Sequence, residues 1–215
     1  MHMTDRGLLA LVRHEGIVPG PYLDARRTWT FGIGHTAAAG PPDPGRMPRG
    51  MARNLDAGIR EAVRLFRSDL AVYEAEVRRA VRVKLAPHEF DALVSFHYHT
   101  GGIAEAALTR HLNAGNRDAA ARAFLNWRRP ASIIARREAE QALFRDGRYP
   151  RGTIPVWAVD GAGQVDFSQP IRRLTEAQVL ALLHPAEPVA PAIPDAPTGW
   201  LARLATFLST LIRRA

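Results

Sequence analysis

The sequence predicts an α+β fold that is mainly helical, with a small β-lobe near the N-terminus, a larger helical lobe and a C-terminal extension. Apolar residues recur at helical spacing over most of residues 54–145, which indicates several amphipathic helices. Residues 21–36 instead alternate polar residues with aromatic and β-branched ones between glycines, a pattern typical of short hairpins. With 215 residues, 47% of them hydrophobic, the chain can form one full domain and a small appendage.

The N-terminal part is predicted to form a helix followed by one or two hairpins. Thr4 or Asp5 can cap a helix that Gly16 ends. Glu15 then lies at the helix C-terminus, where the helix dipole disfavours a second negative charge. The prolines and glycines of residues 38–50 predict a loop after the hairpins.

Helices are predicted to dominate the middle of the chain. Apolar residues at helical spacing indicate a long helix over about residues 54–84, either continuous or broken near Ser68 and Asp69. Pro87 starts the next helix, and the Gly101–Gly102 pair ends it. Further helical stretches are expected at residues 103–113, 117–127 and 132–145.

The sequence pattern changes after Pro150, and we divide the chain into four parts on that basis. The parts are a main domain of residues 1–149, an extension of residues 150–184 with a hairpin and a short helix, a proline-rich spacer of residues 185–197, and a cationic amphipathic helix of residues 198–215. A proline occupies every third position of the spacer, which matches the three residues per turn of a polyproline II helix.

Residues 198–215 have the composition of a helix that lies at an interface, with large apolar residues on one side and arginines on the other. The candidate membrane-contact residues are Trp200, Arg203, Leu204, Phe207, Leu208, Leu211, Arg213 and Arg214. The pattern fits two alternatives. The helix packs on the domain, or it contacts anionic membrane or lipopolysaccharide.

Composition and charge exclude several classes of protein. The chain has no cysteine, which excludes a disulfide framework and thiolate chemistry. Its net charge of +8 favours anionic partners, but the arginines are spread along the whole chain, so we expect no nucleic-acid partner. Neither an apolar run long enough to cross a membrane nor the apolar core of a signal peptide is present in the sequence.

Two carboxylates and a hydroxyl near the N-terminus form the candidate catalytic group. Eight residues separate Glu15 from Asp24, and five separate Asp24 from Thr30. Hydrolysis of a glycosidic bond needs one carboxyl group to protonate the leaving oxygen and a second to assist the attack of water. A hydroxyl can hold that water. The spacing therefore indicates a glycosidase.

This spacing, together with the run Gly32-Ile33-Gly34-His35-Thr36, resembles the phage-type lysozymes of glycoside hydrolase family 24. The resemblance covers about residues 5–149 and continues through residues 89–96, 112–115, Trp127 and 136–140. It implies a lysozyme-like fold with the active site in a cleft between the two lobes. It also implies cleavage of the β-1,4 bond between N-acetylmuramic acid and N-acetylglucosamine in peptidoglycan.

The resemblance further implies roles for individual residues. Glu15 matches the family's general acid, Asp24 the second catalytic carboxylate and Thr30 the residue that holds the attacking water. Residues expected to bind substrate or support the site are Tyr22, Gly34, His35, Arg136 and Arg137, with one of the two arginines approaching Glu15. Arg27 stands where the family often has a turn glycine, which leaves the shape of that hairpin open. Neither a cofactor nor a metal is expected.

We therefore expect a monomeric, bacteriolytic endolysin of phage or prophage origin with peptidoglycan as its substrate. Lacking a signal peptide, it would be made in the host cytoplasm and reach the wall in the periplasm by holin-type release. Two alternatives remain open. The first is a lytic transglycosylase on the same fold, and the second is a membrane-active or wall-binding antibacterial protein that acts through residues 198–215.

Overall fold

The computed structural model describes residues 1–185 and confirms a mainly helical α+β fold. The helices are α1 (Asp5–Glu15), α2 (Leu55–Ala80), α3 (Pro87–Thr100), α4 (Ala107–Asn113), α5 (Arg117–Ala123), α6 (Ile134–Asp146) and α7 (Glu176–Leu183). The strands are β1 (Val18–Leu23), β2 (Trp29–Gly32), β3 (His35–Thr36), β4 (Ile154–Val156), β5 (Ala158–Val159), β6 (Val165–Asp166) and β7 (Arg172–Leu174). The predicted terminal helix, with its candidate membrane-contact residues, and all of the proline-rich spacer but its first residue lie outside the described residues. Within the described residues, each helix is too short or too polar to span a bilayer.

The long helix α2 is continuous, so the alternative of a break near Ser68 and Asp69 is wrong. The carboxylate of Asp69 does not disturb the helix because it is hydrogen-bonded to the ring of His35 at 2.8 Å. Asn54 caps the first turn by accepting a hydrogen bond from the backbone N–H of Ala57 at 2.9 Å. α2 packs on β1 and β2 at one side and on α3 at the other, and thereby joins the β-lobe to the helical lobe.

The helices after α3 are shorter than the sequence predicts. α4 begins only at Ala107, because Gly102 O accepts hydrogen bonds from the N–H groups of Glu105 and Ala106 in a single turn that does not continue. The stretch predicted at 117–127 is α5 followed by a short 3-10 helix, Phe124–Asn126. The stretch predicted at 132–145 starts as a second 3-10 helix, Ala131–Ile133, before α6.

The β-lobe is a three-stranded antiparallel sheet in the order β1-β2-β3. Tyr22 lies opposite Thr30, and Thr30 lies opposite Thr36. Cross-strand partners share a face of the sheet, so these three side chains form one surface. The backbone N–H of Asp24 donates to Thr28 O at 3.0 Å, which extends the β1–β2 hairpin and brings Asp24, two residues after Tyr22, to the same side.

The extension of residues 150–184 packs into the same hydrophobic core as the helices. Its side chains that are fully buried there are Ile154, Val156, Val179 and Leu183. The predicted hairpin is confirmed as the antiparallel pair β5–β6, whereas the pairing of β4 with β7 was not predicted. The extension also covers the free edge of β1, because Leu23 N–H donates to Gly163 O at 2.8 Å. Residues 1–184 therefore form one compact unit.

Candidate active site

The three predicted catalytic residues line one groove between the β-lobe and the helical lobe. The groove has a volume of about 450 Å³. Glu15, Asp24 and Thr30 contribute to its wall together with Tyr22 and Gly34. Its other side is formed by the end of α3 and by residues 129–133, which precede α6. Residues that are close in the sequence thus face residues that are more than sixty positions away.

Glu15 is the last residue of α1, and its side chain is 19% exposed. Gly16 follows with a φ of +71°, a left-handed conformation that favours glycine. A Cβ atom at this position would lie only 2.6 Å from Nε1 of Trp157, so a larger residue would not fit. The helix therefore ends abruptly after Glu15 and leaves its carboxylate at the edge of the groove.

Arg136 connects this carboxylate to the helical lobe. Its Nη1 lies 2.7 Å from Glu15 Oε1, and its Nε donates to Glu140 Oε1 at 3.0 Å. Nη2 donates to the carbonyl oxygen of Ser95 at 3.2 Å. The guanidinium is thus held on three sides and is 10% exposed.

Arg137, the second candidate, does not contact Glu15. Its side chain is fully buried, with Nη1 3.0 Å from Glu140 Oε2 and the guanidinium over the ring of Phe96. Of the two arginines, Arg136 therefore contacts Glu15, and Arg137 stabilises the core behind it through Glu140.

Asp24 is held by the backbone of the β1–β2 turn. Its Oδ1 accepts hydrogen bonds from the N–H groups of Arg26 at 2.9 Å and Thr28 at 2.7 Å. Arg27 adopts a φ of +60°. Within residues 1–185 it is the only residue other than glycine with a positive φ. The turn thus keeps the left-handed conformation that a glycine would adopt, with an arginine in its place.

Thr30 and Tyr22 form the floor of the groove. Thr30 is 3% exposed, and its hydroxyl donates to Thr28 O at 3.1 Å, which leaves the lone pairs of Oγ1 able to accept a hydrogen bond from a water. Burial, then the charges of Glu15 and Asp24, raise the pKa of the Tyr22 phenol. Tyr22 therefore remains protonated and can act as a hydrogen-bond donor beside both carboxylates.

Gly34 and His35 support the groove in different ways. Gly34 lines it with a φ of +88°, and a Cβ there would lie 3.2 Å from the ring of Tyr98. The Tyr98 hydroxyl donates to Ile33 O and so joins α3 to the β-lobe. His35 is buried, with Nδ1 2.8 Å from Asp69 Oδ2 and Nε2 2.9 Å from Pro42 O. It connects β3 to α2 and to the following loop.

Two histidines near Glu15 were not predicted as site residues. Burial, followed by the charges of Arg136 and Arg137, lowers the pKa of His14 to about 3. Burial and Arg136 lower the pKa of His99, which lines the groove, to about 4. Both imidazoles are therefore neutral at pH 7. Their proximity to Arg136 depends on tertiary packing, and the adjacency of His14 to Glu15 is the one signal in the sequence that could have indicated it.

The arrangement can perform acid–base chemistry. It combines a carboxylate beside an arginine that is 10% exposed, a second carboxylate fixed by backbone N–H groups, and a hydroxyl on the neighbouring strand of the sheet. Residues 1–185 contain no cluster of His, Asp or Glu side chains arranged to bind a metal ion.

Several known proteins are similar to this chain in sequence and in fold. The family model described as phage lysozyme matches residues 12–140. An endolysin of Salmonella phage P22 is 35% identical over 150 residues, which cover 67% of this chain and 98% of that protein. The endolysin of Escherichia coli O157:H7 phage FAHEc1 superposes with a TM-score of 0.60 at 26% identity, covering 70% of this chain and 98% of the other. The muramidase domain of SpmX from Asticaccaulis excentricus superposes with a TM-score of 0.56 at 25% identity, covering 67% and 99%. These likenesses confirm the lysozyme-like fold.

Proposed function

Because the chain belongs to the phage lysozyme family, we propose that it is an endolysin that cleaves the β-1,4 bond between N-acetylmuramic acid and N-acetylglucosamine. As a member of this family it is a lysozyme, an enzyme that hydrolyses peptidoglycan. The proposal concerns the bond that is cut and the residues that cut it. The observation that supports it best is the common groove of Glu15, Asp24 and Thr30.

In the proposed mechanism Glu15 is the general acid. It donates a proton to the glycosidic oxygen, which then leaves as a hydroxyl group. The carboxylate that results lies beside the guanidinium of Arg136, whose positive charge at 2.7 Å stabilises the new negative charge. Arg136 is therefore a positioning residue for Glu15 in this scheme.

Asp24 and Thr30 would act on the water. Both Asp24 hydrogen bonds from the turn go to Oδ1, so Oδ2 is the oxygen that can face the substrate or water. Thr30 Oγ1 donates to Thr28 O and can accept a hydrogen bond from the same water. The two groups would orient the water while Asp24 stabilises positive charge that develops on the sugar.

The direct test is hydrolysis of purified peptidoglycan by the wild type and by Glu15→Gln. We expect new reducing ends with the wild type and at least a ~100-fold lower rate with Glu15→Gln, since a positioned general acid contributes about 10²–10⁴-fold to the rate. Asp24→Asn should also lose most activity, because an amide oxygen can keep the two backbone hydrogen bonds without the charge. Full activity in Glu15→Gln, with an unchanged circular dichroism spectrum, would exclude Glu15 as the acid.

Product analysis separates hydrolysis from transglycosylation. Mass spectrometry of the released muropeptides should show reducing N-acetylmuramic acid, because water is the acceptor in the proposed reaction. A 1,6-anhydro product would support the transglycosylase alternative and would leave Thr30 without a role.

We also propose that residues 198–215 bring the enzyme to an anionic membrane or lipopolysaccharide. The support is the sequence pattern, in which Trp200, Phe207 and several leucines recur at helical spacing and three arginines accompany them. Deleting residues 198–215 should leave the rate on purified peptidoglycan unchanged and reduce lysis of intact cells. Equal lysis by the shortened protein would exclude this role, and lysis by Glu15→Gln would favour a membrane-active protein over an enzyme.

A further inference from the structure

The hairpin β5–β6 of the extension contacts both ends of the Asp24 turn (residues 24–28). That turn follows Leu23 and precedes Trp29, which lie opposite each other in β1 and β2. The N–H of Leu23 donates to the carbonyl oxygen of Gly163 at 2.8 Å. Gly163 also lies against the indole ring of Trp29, since a Cβ atom on this glycine would be 2.6 Å from Cζ3 of the ring. One residue of the extension therefore contacts both strands beside Asp24.

The Asp24 turn has little packing of its own. Residues 25–28 are exposed, and Asp24 is half-buried. The hydrogen bonds of the turn are internal, because the Asp24 carboxylate accepts from the N–H groups of Arg26 and Thr28. These bonds fix the shape of the turn. Its position relative to the helical lobe depends instead on what holds the two strands that enter and leave it.

Gly163 lies in a turn that is itself well ordered by hydrogen bonds. The Asp160 carboxylate accepts from the N–H groups of Ala162 at 2.9 Å and Gln164 at 2.8 Å. The N–H of Gly163 donates to the carbonyl oxygen of Asp160 at 3.1 Å. Gly163 has a φ of +81°, a left-handed conformation that favours glycine. A side chain at this position would be strained and would collide with the Trp29 ring.

The Trp29 ring is also held by the loop that follows β3. The guanidinium carbon of Arg49 lies over the ring, 3.6 Å from its centroid. Arg49 in turn donates to the carbonyl oxygens of Gly45 at 2.6 Å and Pro44 at 3.3 Å. The ring therefore cannot move freely to make room for a side chain at Gly163, and a clash there would displace the hairpin from the Asp24 turn.

We propose that Gly163 is a positioning residue for Asp24 and that the hairpin β5–β6 holds the Asp24 turn in its place at the groove. The proposal rests on the proposed function, in which Asp24 acts on the water and on the charge that develops on the sugar. Such a role depends on exact placement, because a displacement of about 1 Å can lower a rate roughly 10²-fold. The hairpin lies beyond the residues that match the phage lysozyme family, so this chain uses its extension to hold a residue of the family's domain.

The test variant is Gly163→Ala, and the matched control is Gly161→Ala in the same turn. A Cβ atom at Gly161 would meet no other atom within 4 Å, and the backbone there is not left-handed. Initial rates on purified peptidoglycan give the apparent kcat and KM. Both substitutions are also made in the Asp24→Asn background, where the residual rate is measured at raised enzyme concentration. Hydrogen exchange of the Leu23 N–H, followed by NMR, reports on the contact with the hairpin independently of turnover.

We expect Gly163→Ala to lower kcat about tenfold with little change in KM, because the turn is displaced while the rest of the groove is kept. Exchange of the Leu23 N–H should become at least about tenfold faster. In the Asp24→Asn background the same substitution should cost less than about twofold, since the two changes remove one function. Gly161→Ala should match its parent in every measurement.

An unchanged kcat or an unchanged Leu23 exchange rate in Gly163→Ala would overturn the proposal. An equal loss of rate in the Asp24→Asn background would also overturn it, because Gly163 would then act on the fold as a whole and not through Asp24. If Asp24→Asn alone keeps the wild-type rate, the role of Asp24 in the proposed function fails, while the exchange rate still decides whether the hairpin holds the turn.

A second pair of variants applies if Gly163→Ala does not fold. Asp160→Ala removes the two side-chain hydrogen bonds that order the turn of Gly163, and Asp160 is exposed. Its control is Asp166→Ala, which removes an exposed carboxylate of the same hairpin that accepts from the N–H of Ser168 at 2.8 Å. Asp160→Ala should lower kcat and speed Leu23 exchange in the same direction as Gly163→Ala. Equal values in Asp160→Ala and Asp166→Ala would overturn the proposal.

Discussion

Nη1 of Arg136 lies 2.7 Å from Oε1 of Glu15, so a residue of α6 holds the carboxylate that ends α1. The same guanidinium contacts Glu140 and Ser95, which belong to the buried side of the helical lobe. The position of Glu15 in the groove therefore depends on the packing of α1, α3 and α6 and not on the N-terminal motif alone.

This relationship predicts that Arg136→Lys impairs both activity and stability. A lysine has one ammonium group and cannot reproduce the fork that contacts Glu15, Glu140 and Ser95 together. We expect a rate on purified peptidoglycan at least about tenfold lower, and a free energy of unfolding lower by about 3 kcal/mol because the buried carboxylate of Glu140 loses a partner. Arg145→Lys is the control, since the Arg145 side chain is exposed and pairs with Asp146 at the surface. Unchanged rate and unfolding free energy in Arg136→Lys would contradict the role of the ion pair.

The lowered pKa of His14 predicts a loss of stability in acid. Burial lowers the pKa of His14 from 6.5 in the unfolded chain to about 3 in the folded protein, and the positive charges of Arg136 and Arg137 add to this effect. Folding therefore disfavours the protonated ring, so the contribution to stability is complete above pH 6.5 and is lost progressively as the pH falls towards 3. Between pH 7 and pH 4 we expect His14 to account for about 2 kcal/mol of the decrease in unfolding free energy, after an allowance for its partial exposure.

Urea denaturation at both pH values measures this effect. His14→Gln should lose less stability than the wild type between pH 7 and pH 4, and other titrating groups cancel in the comparison. Substituting glutamine for the exposed His111 controls for the removal of an imidazole from the chain. Parallel pH curves for the wild type and His14→Gln would show that the ring is not the acid-sensitive group.

The positive φ of Arg27 in the turn after Asp24 predicts that glycine is more stable than alanine at this position. The left-handed conformation costs a residue with a Cβ about 1–2 kcal/mol of conformational energy. Glycine has no such steric penalty, although it loses more backbone entropy on folding. With a φ of +60° at Arg27, we expect Arg27→Gly to be more stable than Arg27→Ala by about 1 kcal/mol, although both lack the charge. Chemical denaturation of the two variants measures the difference. If Arg27→Ala is the more stable, the turn does not have this conformation in solution.

Local spacing explains why much of the site could be predicted from the sequence. Glu15, Asp24 and Thr30 follow one another within a helix end and one hairpin, and their relative placement depends on a few backbone turns. The three-stranded sheet and α1 were likewise predictable from caps, glycines and alternation. Whether Arg136 or Arg137 reaches Glu15 depends on the rotation of α6 against α3, which periodicity alone does not determine.

The remaining differences involve contacts between distant parts of the chain. Ser68 and Asp69 favour a helix break in the sequence, whereas in the structure the Asp69 carboxylate pairs with His35, more than thirty residues earlier, and α2 is continuous. The sequence predicts a separate hairpin in the extension because the surface that it pairs with, the edge of β1, is more than 130 residues away in the sequence. The pairing of β4 with β7 involves short strands with little alternation, so their neighbours and not their own sequence determine it.

The extension is predicted to be part of the folded catalytic unit and not a separable appendage. Leu183 of α7 is fully buried in the core that also contains the helices of the first 149 residues. Leu183→Ala should therefore lower the free energy of unfolding of the whole unit by about 3 kcal/mol, the usual cost of a leucine-sized cavity. Ile171→Ala is the matched control, because Ile171 belongs to the same extension but is 47% exposed and should change stability by less than about 0.5 kcal/mol. Both variants should unfold in a single urea transition, with loss of peptidoglycan hydrolysis coinciding with loss of helical signal. A separable extension would behave differently: Leu183→Ala would then show an early transition of small amplitude, while the main transition and the enzymatic activity kept the wild-type midpoint.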